Sequence, residues 1–156
     1  MTTAASSDKN NNKLNEISIK NSTIGKGKKL PHNILLVDDD DDTLLSIKMY
    51  FKDKTEFKID TFSSPLQALS AFKAEFYDLC IIDVLMPEMH GFEFYQQIIK
   101  KSKNVNIKAC FITAHETYYD KLKKEFPELD VGCFISKPIE LSKLAEKIKE
   151  ELQSPL

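Results

Sequence analysis

The chain of 156 residues contains no arginine: all 22 of its basic residues are lysine. A lysine presents a compact point charge rather than a planar fork, so functions that rest on bidentate grips of phosphate or guanine are disfavoured. No apolar run approaches the ~20 residues a membrane-spanning helix needs, and no secretory signal opens the sequence. No membrane partner is expected, and the cytoplasm is the default compartment. The three cysteines, Cys80, Cys110 and Cys133, each sit inside an apolar run and show no Cys-x-x-Cys spacing. That pattern favours buried reduced thiols over a disulfide or a zinc site. The segment 25–29, Gly-Lys-Gly-Lys-Lys, lacks the glycine spacing, the following Ser or Thr and the preceding strand of a phosphate-binding loop.

What is present is a folded body behind a basic leader. Residues 1–31 carry six lysines against Asp8 and Glu16, a net of +4, while the remainder has a net of −6. The leader is rich in Asn, Ser, Thr and Lys with only isolated Leu14, Ile17, Ile19 and Ile24. It cannot bury enough apolar surface to offset its ordering, so 1–31 is expected to be a flexible basic tail. Residues 32–156 are expected to form one domain, since 42% hydrophobic content supports a core of that size.

From Asn33 onward the chain alternates between two periodicities. Short apolar runs at 34–37, 79–82 and 107–112, with a further one at 131–135, read as strands covered on both faces. Residues 57–62 alternate with period two and read as a more exposed strand. Between them, Leu44, Ile47 and Phe51, with Leu45 and Met49 beside them, follow helical spacing. Leu66, Leu69 and Phe72 mark a second helix started by Ser64 and Pro65. A third helix runs from about 92 to 101 with Tyr95, Ile98 and Ile99 inward. Tyr118, Tyr119, Leu122 and Phe126 form a fourth, ended by Pro127, and Leu141, Leu144, Ala145, Ile148 and Leu152 a fifth. Five strands alternating with five helices mean a parallel α/β sheet with helices on both faces.

Polar groups gather where these strands end. Asp38 and Asp39 follow the first, Asp83 the third, Thr113 the fourth and Lys137 the fifth. In a right-handed parallel sheet these ends open on one edge, which is where chemistry collects. Clustered carboxylates repel one another and take up protons unless a cation lies among them. With oxygen ligands alone on offer, Mg2+ suits the set better than Zn2+, and Mn2+ is the other ion it would accept. An ammonium and a hydroxyl beside that ion complete a phosphoryl-transfer site in which Asp83 can be the nucleophile. Five consecutive aspartates, 38–42, leave a choice of register. Asp38 and Asp39 lie at the sheet edge, whereas Asp40 to Asp42 fall where helix capping and the helix dipole already account for carboxylates.

Four motifs then resemble one family. They are Ile-Leu-Leu-Val-Asp-Asp at 34–39, Ile-Ile-Asp-Val-Leu-Met-Pro at 81–87 with Gly91, Phe-Ile-Thr-Ala at 111–114, and Phe-Ile-Ser-Lys-Pro at 134–138. Together, in this order, they resemble the receiver domain of two-component response regulators, here of the stand-alone, single-domain type. The resemblance implies a flavodoxin-like (βα)5 sheet with strand order 2-1-3-4-5. It implies that Asp83 accepts a phosphoryl group from the phosphohistidine of a sensor kinase or a histidine phosphotransfer protein. Asp38, Asp39, Asp83 and the Leu85 backbone carbonyl would hold Mg2+, and Lys137 would bind the phosphoryl oxygens. Thr113 and Phe134 would move together as a switch, Leu85 and His115 would modulate the phosphoryl lifetime, and the Lys137–Pro138 peptide would be cis.

Taken singly, each residue has a plainer role: Thr113 a strand-end hydroxyl, Lys137 an exposed amine, Phe134 a core aromatic. Only the joint pattern points to a signalling switch rather than an enzyme. A Mg2+-dependent phosphatase or phosphotransferase on small molecules is the first alternative, but such enzymes place an acid two residues after the nucleophile, where this chain has Leu85. A non-signalling scaffold is the second. Tyr118 and Tyr119, with Phe134, offer a docking face for an unknown protein target, as a monomer or as a phosphorylation-dependent dimer. Direct sequence-specific nucleic acid binding is not expected of an acidic body without arginine.

Overall fold

The computed structural model describes residues 30–102, 107–115, 117–127 and 133–155. The expected basic tail, up to residue 29, lies outside the described residues, as do Val131 and Gly132. The fold that follows belongs to the unit Pro31–Leu156.

Five strands and five helices alternate: β1 (His32–Val37), α1 (Asp41–Phe51), β2 (Phe57–Phe62), α2 (Pro65–Ala71), β3 (Leu79–Asp83), α3 (Gly91–Ser102), β4 (Lys108–Thr113), α4 (Thr117–Glu125), β5 (Cys133–Ser136) and α5 (Leu141–Gln153). The strands form one parallel sheet in the order β2-β1-β3-β4-β5. The central strand β3 is buried along its whole length, as its unbroken apolar sequence requires. Its side chains alternate between two cores. Cys80 and Ile82 join Leu35, Phe94 and Phe111 on one face, and Leu79 and Ile81 join Ile47, Leu144 and Ile148 on the other. No described helix is long and apolar enough to cross a membrane.

Helix starts follow their local chemistry. Asp40 caps α1, its Oδ1 accepting from the Asp42 amide at 3.0 Å, and Asp41 and Asp42 lie in the first turn. This is the structural role the sequence assigns to 40–42. Ser64 caps α2 by accepting from the Gln67 amide, with Pro65 at the first helical position.

Two expectations are corrected. Cys110 and Cys133 form a disulfide, not two reduced thiols; only Cys80 is free. They are paired directly across β4 and β5, with Cα atoms 4.5 Å apart, a proximity that a separation of 23 residues conceals. In α2 the buried side runs through Pro65 and Ala68, in line with buried Phe72 just past the helix end, and Leu66, about 100° round from Pro65, is 45% exposed. In α1 the face read from the spacing holds: Leu44, Ile47 and Phe51 are buried, and Leu45 and Met49 beside them face solvent.

Gly91 opens α3 against the end of β3. Its amide donates to the Val84 carbonyl at 3.0 Å, and a Cβ there would collide with the Asp83 carbonyl oxygen. Gly91→Ala is therefore expected to lower the unfolding free energy by about 2–4 kcal/mol. Urea denaturation monitored by circular dichroism measures this, and an unchanged midpoint would contradict the close approach.

Candidate functional site

The β1 end delivers Asp38 fully buried, with its amide donating to the Phe62 carbonyl at 3.2 Å. Its Oδ1 accepts from the Asp40 amide at 2.9 Å, which bends the chain away from the sheet into α1. The β3 end delivers Asp83, 4% exposed. The β5 end delivers Lys137, whose amide donates to the Thr113 carbonyl at 2.9 Å, and whose peptide to Pro138 is cis as expected.

These ends converge. The Lys137 Nζ lies 3.1 Å from Asp38 Oδ2 and 3.2 Å from Asp83 Oδ2. Carboxylate oxygens of Asp38, Asp39 and Asp83 all fall within 4.8 Å of one another. Asp39 is exposed at the mouth and the other two line the floor. Apart from the off-angle ammonium contact, Asp38 Oδ2 is buried without a hydrogen bond. A buried carboxylate oxygen without a donor carries a desolvation cost that a cation would relieve. Three convergent carboxylates with no nitrogen or sulfur among them suit a small hard divalent ion, and the residues present therefore fit Mg2+.

Burial, reinforced by repulsion from Asp38, pushes the Asp83 carboxyl up to about 6, although Lys137 and the Leu85 amide both draw it down. Burial alone would lower the Lys137 ammonium, but the Asp38 and Asp83 carboxylates beside it hold it above its ordinary value. The Leu85 side chain is 41% exposed.

The remaining candidates surround this centre without joining it. Thr113 is buried, but its hydroxyl turns to the following loop, accepting from the His115 amide at 3.1 Å and donating to the His115 carbonyl at 3.3 Å. His115 itself is exposed, with its ring 5.9 Å from Tyr118. Phe134 is half-buried between Phe111, at 5.7 Å, and Tyr119, which meets it edge-to-face at 4.9 Å. The loop after Asp83 is braced from α2: the Ser64 hydroxyl donates to Glu88 at 2.8 Å, and Glu88 holds a left-handed backbone with φ of 69°. That conformation costs a non-glycine residue about 1 kcal/mol or more, and a brace of this kind offsets it. A serine two elements away gives no sequence signal of such a contact.

Asp83 holds its proton more tightly in the folded chain than in the unfolded one, so its ionisation removes stability as pH rises from the ordinary 3.8 through about 6. The full shift corresponds to about 3 kcal/mol at pH 7, which solvent reaching Asp39 and Lys137 reduces to about 2. Asp83→Asn is accordingly expected to stabilise the metal-free protein by about 2 kcal/mol at pH 7, falling to about half that at pH 5. Urea titrations at the two pH values check this, and a destabilised variant at pH 7 would contradict it.

The family model for the response regulator receiver domain matches residues 34–149. Among curated proteins, response regulator Rre1 of Synechocystis is 26% identical over 124 residues, covering 78% of this chain and 52% of Rre1. The probable transcriptional regulator ycf29 of Porphyra purpurea is 29% identical over 122 residues, covering 77% of this chain and 56% of ycf29. The chain thus spans about half the length of the curated relatives it matches. Among solved structures, a CheY-like receiver domain protein from Methanospirillum hungatei superposes with a TM-score of 0.66 at 25% identity, over 78% of this chain and 94% of that one.

Proposed function

The chain belongs to the response regulator receiver domain family, and from that we propose that it is a phosphoryl-accepting switch with Asp83 as the acceptor. The observation that carries this reading is the Lys137 ammonium lying between buried Asp38 and Asp83, with Asp39 at the mouth. An Asp83 carboxylate oxygen attacks the phosphorus of a phosphohistidine on a sensor kinase or histidine phosphotransfer protein. The phosphorus–nitrogen bond breaks, its electron pair stays on the imidazole, and Asp83 becomes an acyl phosphate.

Asp38, Asp39 and Asp83, with the Leu85 backbone carbonyl, are the groups that would hold Mg2+. When bound, that ion neutralises the carboxylates and the charge gathering on the transferred oxygens. Lys137, already within 3.2 Å of the acceptor, supplies a fixed positive charge on the other side. Transfer replaces a carboxylate by a group with more charge and more acceptor oxygens. The Thr113 hydroxyl, held by the His115 backbone one residue beyond the β4 position that pairs with Asp83, would leave that partner for a phosphoryl oxygen. Its departure would free the loop to α4, and Phe134, packed on Tyr119 of that helix, would follow. Such a change is a population shift driven by bonds available in one arrangement alone. Leu85 and His115, both exposed, would govern water access to the acceptor and so the lifetime of the acyl phosphate.

The reading is of a signalling switch rather than a turnover enzyme, because the second position after Asp83 carries Leu85, which can neither donate nor accept a proton. The full chain incubated with Mg2+ and acetyl phosphate, or with beryllofluoride, is expected to form one adduct on Asp83, detected by intact-mass or fluorine NMR measurement. Asp83→Asn should form none, and Lys137→Ala should slow or abolish it. An adduct that persists on Asp83→Asn, or sustained turnover of p-nitrophenyl phosphate, would overturn the reading.

A further inference from the structure

A second concave feature lies away from the carboxylates, between the loop joining β3 to α3 and helix α4. It encloses about 350 Å3, at the lower end of the ~300–1,000 Å3 typical of ligand pockets. Part of its wall is apolar: Met86 and Phe92 are buried, while Met89 and Phe126 are half-buried. Two methionines make such a wall adaptable to more than one apolar shape. Phe92 is locked by edge-to-face contacts with Phe111 at 4.9 Å and Phe126 at 6.1 Å, so the base of the pocket is rigid.

The rim has the opposite character. Glu88, Glu93 and Glu125 stand around the opening, and Lys121 is the single ammonium among the described lining residues. Lys121 pairs loosely with Glu125 at 4.0 Å, both about half exposed, and so neutralises little of this charge. Glu88 and Glu93 are held in place by contacts that leave their charge intact, one accepting from Ser64 at 2.8 Å and the other from the His90 amide at 3.2 Å. Each carboxylate retains further lone pairs for an incoming donor.

An uncharged apolar ligand would fill the socket but leave three carboxylates unmatched, and an acidic partner would be repelled. We propose that this pocket docks a basic segment of a partner protein, seating one large apolar side chain against Met86, Met89 and Phe126 and setting lysine or arginine opposite Glu88, Glu93 and Glu125. An apolar anchor within a ring of complementary charge is the arrangement in which the anchor supplies affinity and the rim supplies selectivity. The site goes beyond the phosphoacceptor reading and does not rest on it, since neither Asp83 nor Lys137 lines the pocket.

The test is selection from a phage-displayed random peptide library against the full chain. The expected consensus is one Leu, Met, Phe or Trp flanked by several Lys or Arg. A synthetic peptide of that consensus should shift the amide signals of 86–93 and 121–126. Its affinity should fall about tenfold or more in the double variant Glu93→Lys, Glu125→Lys, both exposed positions, and likewise in Met89→Gln. Asp83→Asn should bind it as the parent does, which separates this proposal from the preceding one. No enrichment, a purely apolar or acidic consensus, amide shifts elsewhere, or charge-swapped variants that bind unchanged would each overturn it.

Discussion

The Lys137 ammonium, 3.1 Å from one buried carboxylate and 3.2 Å from another, is the contact on which the carboxyl edge of this sheet depends. Two carboxylates at the ends of adjacent parallel strands repel each other, and burial amplifies that repulsion because little water is left to screen it. One lysine from an edge strand offsets part of it and ties β5 to β1 and β3 through side chains. The compensation is incomplete: Asp83 remains pushed up to about 6, and Asp38 Oδ2 lacks a well-aligned donor. A cluster left short of positive charge favours a cation that completes it. In that sense the local instability and the proposed chemistry have one origin.

The surroundings hold that cluster in register rather than relieve it. Gly91 lets α3 begin against the Asp83 carbonyl, and the Val84 amide continues to the Ile112 carbonyl at 2.9 Å, so the loop after the acceptor is anchored at its root. Farther out, Ser64 steadies Glu88 in its left-handed conformation. The same loop then contributes Met86, Glu88, Met89 and His90 to the pocket beside α4. Acceptor and pocket are therefore two faces of a single short segment. The aromatic contacts from Phe92 to Phe111, and from Phe111 to Phe134, run through the core behind both.

Much of this was legible in the residues themselves. Strand ends could be located because apolar runs stop abruptly at Asp38, Asp83, Thr113 and Lys137, and a parallel sheet must bring such ends to one edge. The split of the aspartate run was legible too, since Asp40 sits where a helix cap is needed and does cap α1. Periodicity failed in α2, where the buried face is set by Pro65 and Ala68 rather than by the larger Leu66 one step round the helix, and Phe72 reaches the core from just past its end. The cysteines misled for a different reason. Their surroundings are apolar, as read, but Cys110 and Cys133 stand directly opposite in adjacent strands, and pairing across a sheet depends on register, which local composition does not encode.

The sequence by itself determined the alternation of strands and helices, the acidic and basic residues at the strand ends, and hence the class of chemistry available there. Periodicity and chain breaks are local properties, and the handedness of parallel crossovers carries them to a common edge. Only the tertiary structure decided which oxygens face the ammonium, that Thr113 rests on the His115 backbone, that two cysteines join, and that Met86, Phe92 and Phe126 enclose a socket ringed by glutamates. Those outcomes depend on ångström-scale register and side-chain direction between elements distant in the chain, and no short stretch of residues contains that information.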